Sequence, residues 1–96
     1  MTGEKPMKIE VVHDPSGKKL ESLAVFSWPV WEKEVSEFPW FYDERETCYL
    51  LEGDVVVTPE EGAPVRFGKG DLVTFPAGMR CRWKILSAVR KHFRFG

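Results

Sequence analysis

The sequence predicts an all-β domain that closes into a barrel or sandwich, and three observations carry that prediction. Turn signals recur about every ten residues through the second half of the chain, at Pro59 to Pro64, Gly68 to Gly70 and Pro76 to Gly78. Between them lie short runs rich in β-branched and aromatic residues, such as Asp71 to Phe75. No segment sustains a long helical period, so a parallel α/β sheet is disfavoured.

Taken in order, residues 1–7 are polar and read as a flexible tail ahead of one domain spanning 8–96. Lys8 to His13, with Ile9, Val11 and Val12, predicts a short first strand that Asp14-Pro15-Ser16-Gly17 stops. Lys18 to Leu23 follows as one or two helical turns, with Leu20 and Leu23 on one face and a cap from Asp14 or Ser16. Pro29 excludes a central strand in Ala24 to Val35, which predicts an edge strand or an extended crossing segment. Glu32, Glu34 and Glu37 read as a solvated edge guarded by charge, facing the basic positions Arg80, Arg82, Arg90, Lys91 and Arg94 across strands.

From Trp40 to Gly53 the chain reads as strand, acidic turn and second strand, and Cys48 to Thr58 is one strand kinked at Gly53. Val65 to Phe67 begins the return, Asp71 to Phe75 is a strand, and Arg80 to Leu86 is another. Ser87 and Ala88 are expected to break the run before Val89 to Phe95 closes it.

Fourteen Lys and Arg against fifteen Asp and Glu leave a net charge of -1, so no overall field favours nucleic acid or an anionic membrane. No apolar run approaches the roughly 20 residues that cross a bilayer. Cys48 and Cys81 allow at most one bridge, and no signal peptide precedes Met1. The expected setting is therefore intracellular and cytoplasmic, or an organelle if a transit peptide was removed, with both thiols reduced and buried. The opening Thr2 to Pro6 spells a zinc-finger linker, but no ligand pattern accompanies it.

Two half-motifs support a family resemblance. Glu46 and Gly53 have six residues between them, and Gly70, Pro76 and Gly78 follow a G-x5-P-x-G spacing. These resemble the end of the first and the start of the second cupin motif. Trp28 to Phe93 as a whole resembles the small single-domain cupins grouped with the ureidoglycine aminohydrolase cupin domain. The resemblance implies a double-stranded β-helix, or jelly roll, with one or two short helices. In that alignment the metal-binding histidines fall on Trp40, Tyr42 and Cys81 and the motif's asparagine on Ile85, so only Glu46 remains of the usual ligands.

Side chains two apart on a strand share a face, and with that alignment Trp40, Tyr42, Glu46, Cys48, Cys81, Trp83 and Ile85 are expected to face the interior. Trp40, Tyr42, Glu46, Cys48, Cys81 and Trp83 are the expected ligand-binding set, with Glu46 and Tyr42 as candidate acid–base groups. A buried Glu46 should hold its proton more tightly unless Tyr42 or a cation bonds it. Cys81 reads as a buried thiol, because Arg80 and Arg82 point away from it. His13 and His92 read as structural or exposed.

No cofactor is expected. If a metal binds, Glu46 with Cys81 would hold it, and zinc is the metal that thiolates select. Cys81→His with Tyr42→His should raise affinity for manganese, iron or nickel. The leading reading is a barrel that binds a small organic ligand. The alternative is a small hydrolase or isomerase acting through Glu46 on a nitrogen-containing or carbohydrate-like metabolite. Trp28, Trp31 and Phe38 read as an apolar patch that a homodimer would cover.

Overall fold

The computed structural model describes residues 8–96. The expected tail at 1–7 lies outside the described residues. Strand β1 (Glu10–His13) leads through Asp14, at φ 49°, into helix α1 (Gly17–Ser22) and a single 3-10 turn at Val25–Ser27. Six further strands follow: β2 (Val30–Lys33), β3 (Ser36–Phe41), β4 (Glu46–Pro59), β5 (Val65–Gly68), β6 (Asp71–Phe75) and β7 (Arg80–Phe95). Ser16 caps the helix, its hydroxyl accepting from the Lys19 amide at 3.1 Å, and Leu20 is the helix's buried residue.

All pairing is antiparallel, and the two long strands organise it. The first half of β4 lies between β6 and the last part of β7, which in turn pairs with β2. The second half of β4 lies between β5 and the first part of β7, which pairs with β3. Each long strand thus crosses from one half of the seven-stranded sheet to the other. The result is the all-β jelly roll that the sequence predicts.

The crossing is built at Gly53. Its φ of +126° is closed to most side chains, and an added Cβ would stand 2.9 Å from Val89 Cγ2 and 3.0 Å from Val89 Cα. Around it the β4–β7 register shifts between Leu50 and Val55. The buried face of β4 accordingly moves from Cys48 and Leu50 to Val55 and Val57. Across from it, Ser87 and Ala88 do not break the chain. They are exposed positions inside one 16-residue strand, because ladder bonds to β4 continue on both sides of them.

The main core includes Cys48, Leu50, Val55, Val57, Val73, Phe75, Trp83 and Ile85. A satellite cluster of Leu20, Val25, Trp28 and Leu72 covers the other side of the sheet. That cover corrects one expectation, since Trp28 is buried rather than part of an exposed patch. His92 takes the structural of its two readings, buried beneath Trp28 with its Nδ1 2.9 Å from the Trp28 carbonyl and its ring edge-on to Phe26. His13 has a partner as well, with Nδ1 2.9 Å from Asp71 Oδ1. The acidic edge pairs as its charges predict, Glu37 with Arg82 at 2.6 Å and Glu32 with Arg90 at 3.2 Å.

Candidate functional site

One phase of β7 turns inward apart from the exposed Ser87 and the terminal Phe95: Cys81, Trp83, Ile85, Val89 and Lys91 are buried on it, and Phe93 continues it half-buried. A lysine therefore enters a position that strand geometry otherwise gives to apolar residues. Glu46, at the start of β4 and inward like Cys48 and Leu50, meets it. Lys91 Nζ donates to Glu46 Oε2 at 2.8 Å, and both side chains are only 6% exposed.

Around this pair the walls are aromatic. The ammonium sits 4.9 Å from the Trp31 ring centroid and 4.8 Å from that of Trp83, so two indole faces help to replace the water it has lost. Phe38 stacks on Trp83 with an interplanar angle of 12°. Trp83 Nε1 donates to Tyr42 Oη at 3.1 Å, while the Tyr42 ring stacks on Phe75 at 4.6 Å. A cavity of about 230 Å³ remains between these groups, lined by Trp31, Phe38, Trp40, Tyr42, Glu46, Trp83, Lys91, Phe93 and Phe95.

Burial, reinforced by the charges of Glu46, Cys48 and Cys81, pushes the Tyr42 phenol well above its ordinary range, so it stays protonated and can donate. Burial likewise pushes the Cys48 thiol up to about 11, with the Lys91 ammonium pulling the other way. Cys81 is pushed up to about 11 by burial. Neither sulfur is an activated nucleophile at neutral pH.

Of the expected ligand-binding set, Trp40, Tyr42, Glu46 and Trp83 line the cavity. Trp40 does so from the rim at 47% exposure, not from the interior. Cys48 and Cys81 lie outside it: Cys48 is fully buried in the core, and Cys81 borders a separate open groove of about 640 Å³ beside Trp40 and Phe41. Trp31 and Phe38 are half-buried cavity walls rather than surface patch.

Lys91 is the residue that sequence reasoning missed. It reads as one more basic surface position, although it shares the phase of Val89 and Phe93. That shared phase is the signal, and it becomes legible once β7 is known to run unbroken.

The comparisons with known proteins bear on this site. The profile of the EutQ-like cupin domain family matches residues 20–93. The chain belongs to that family. Among solved structures, this cupin is similar to a DUF861-family protein of Thermotoga maritima, at 57% identity and a TM-score of 0.86, over 95% of this chain and 100% of that one. A DUF861-family protein of unknown function from Pseudomonas syringae is 29% identical with a TM-score of 0.63, over 70% of this chain and 29% of the other. A putative ethanolamine utilization protein Q of Salmonella typhimurium, at 24% identity and a TM-score of 0.62, shares the fold over 69% of this chain and 53% of its own. Comparison with curated proteins returned no match.

Many cupins hold a divalent metal, and the donors of this one do not fit such an ion. The positions aligned with metal-binding histidines carry an indole, a phenol that keeps its proton and a buried thiol pushed up to about 11. The carboxylate that would complete the set already bonds an ammonium at 2.8 Å. Among the described residues no cluster of three or more His, Cys, Asp or Glu side chains is suited to a metal. No helix among them is long and apolar enough to cross a membrane.

Proposed function

We propose that this cupin binds a compact, flat organic ligand in the aromatic cavity, oriented by the Lys91–Glu46 pair, without a metal or other cofactor. The observation that carries the reading is the placement of one buried ion pair in the wall of an otherwise aromatic pocket. Small-molecule sites combine an apolar lining with a few fixed polar groups. At about 230 Å³ the cavity lies below the roughly 300 Å³ at which drug-sized sites begin, so a ligand of one or two rings is the right scale.

The alternative, a small enzyme of the kind that the ureidoglycine aminohydrolase likeness implies, would use Glu46 as acid or base with Tyr42 as donor. Against it stands the salt bridge, which already occupies Oε2 of that carboxylate with an ammonium at 2.8 Å. We also hold the protein to be a cytoplasmic homodimer that engages neither nucleic acid nor membrane, in keeping with its net charge of -1.

An amide nuclear magnetic resonance titration with flat one-ring and two-ring fragments tests the binding reading. Perturbations should concentrate on β3, the start of β4 and the second half of β7. Perturbations scattered over the surface, or none with any fragment, would sink it.

A further inference from the structure

The same pair also sets the charge of what can enter, an inference that rests on the binding reading above. An aromatic box with a carboxylate in its wall invites a cationic ligand. Here that place is taken from within: the Lys91 ammonium already lies 4.9 Å and 4.8 Å from the two indole rings and 2.8 Å from Glu46. A second ammonium would find those faces occupied and a like charge beside it. A carboxylate ligand would place two anions around one cation. Both arrangements are penalised where surrounding aromatics keep the local dielectric low.

What the pair leaves unused is a matched set of hydrogen-bonding groups. An ammonium has three N–H donors, and the bond to Glu46 takes one. Glu46 Oε1 accepts no hydrogen bond among the described residues, and Glu46 borders the cavity, where no side-chain polar atom is both buried and unpartnered. Donor and acceptor therefore stand side by side at the edge of an aromatic slot.

We infer that the cavity selects an uncharged planar ligand bearing a carbonyl and an N–H on neighbouring atoms, an amide or a lactam. The carbonyl oxygen accepts from Lys91 Nζ, the N–H donates to Glu46 Oε1, and the ring lies against Trp40, Phe93 and Phe95, the cavity aromatics that Lys91 does not cover. The net-neutral pair is the selectivity element.

Three probes sharing one ring test this: benzamide, benzoate and benzylammonium, titrated into the full chain at neutral pH and followed by calorimetry or amide shifts. Wild type should bind benzamide about tenfold or more tightly than either ion, the discrimination that an unpaired buried charge commands. Lys91→Met leaves Glu46 unneutralised and should move the preference to benzylammonium. Glu46→Gln leaves Lys91 unneutralised and should move it to benzoate. If an ion binds wild type as tightly as benzamide, or if folded variants keep the wild-type order, the inference is overturned while the pocket remains a binding site. If a variant does not fold, the wild-type order alone decides. If none of the three binds wild type, the binding reading itself falls, and the inference with it.

Discussion

The Lys91–Glu46 contact, 2.8 Å long between side chains 6% exposed, gives two charges to an interior that would rather hold neither. Removing one partner strands the other, which typically costs about 3–5 kcal/mol, whereas removing both is often nearly neutral. Lys91→Met and Glu46→Gln should each lower stability by about that amount in urea unfolding, and the double variant should recover most of the loss. Additive losses would mean that the pair does not act as a unit. The ammonium also bears on metal binding, since two unit cations about 4 Å apart repel by about 4 kcal/mol at an effective dielectric near 20. Tyr42→His with Cys81→His, which the sequence alone expects to raise nickel affinity, should therefore not bind nickel measurably until Lys91→Ala is added. Calorimetric titration with nickel checks this, and tight binding by the double variant would refute it. The thiols supply a third test. Both Cys48 and Cys81 rise from 9.0 to about 11 on folding, so within that window the folded chain holds more protons than the unfolded one. Their contribution to stability is full below 9.0 and is lost as pH climbs toward about 11. The urea midpoint should fall over that range, and less steeply in Cys48→Ala compared with its own value at neutral pH.

Among the elements, β4 and β7 carry the design, because each must serve both halves of the sheet. Their bend depends on Gly53, where φ is +126° and Val89 leaves no room for a Cβ. Gly53→Ala should destabilise the fold by about 1–3 kcal/mol, through backbone strain combined with the clash. Thermal unfolding measures it, and an unchanged midpoint would show that the bend is set elsewhere. The strand β7 also shows why a turn-forming pair need not make a turn: Ser87 and Ala88 are weak breakers, and pairing with β4 on both sides outweighs them. Propensity is local, whereas the ladder is a property of the partner strand.

At the scale of the whole molecule, several large apolar groups remain on the surface, among them Phe26 at 61%, Val35 at 62%, Trp40 at 47%, Phe41 at 43% and Phe95 at 52%. Trp40, which borders one hollow with Phe41 and another with Phe95, and not the buried Trp28 or the cavity walls Trp31 and Phe38, marks the patch that a second copy would cover. Sedimentation at micromolar concentration should show twice the chain mass, and Trp40→Ser with Phe41→Ser should shift the equilibrium toward monomer. A monomer in wild type would count against pairing.

The sequence by itself determined the fold class, since turn residues, period-two alternation and the Glu46 to Gly53 and Gly70 to Gly78 spacings are local signals readable in one dimension. Strand phase put Tyr42 with Trp40 and Trp83 with Cys81 on shared faces, and the cupin resemblance turned those faces, with Glu46, inward. Which charges meet is another matter, because Glu46 and Lys91 lie 45 positions apart and become neighbours only when β4 and β7 pair in register. The same pairing decided that Cys48 and Cys81 are core and groove rather than cavity, and that Trp28 is covered by its own N-terminal segment. Phase says which side of a strand a residue takes; only the packed sheet says what stands opposite it.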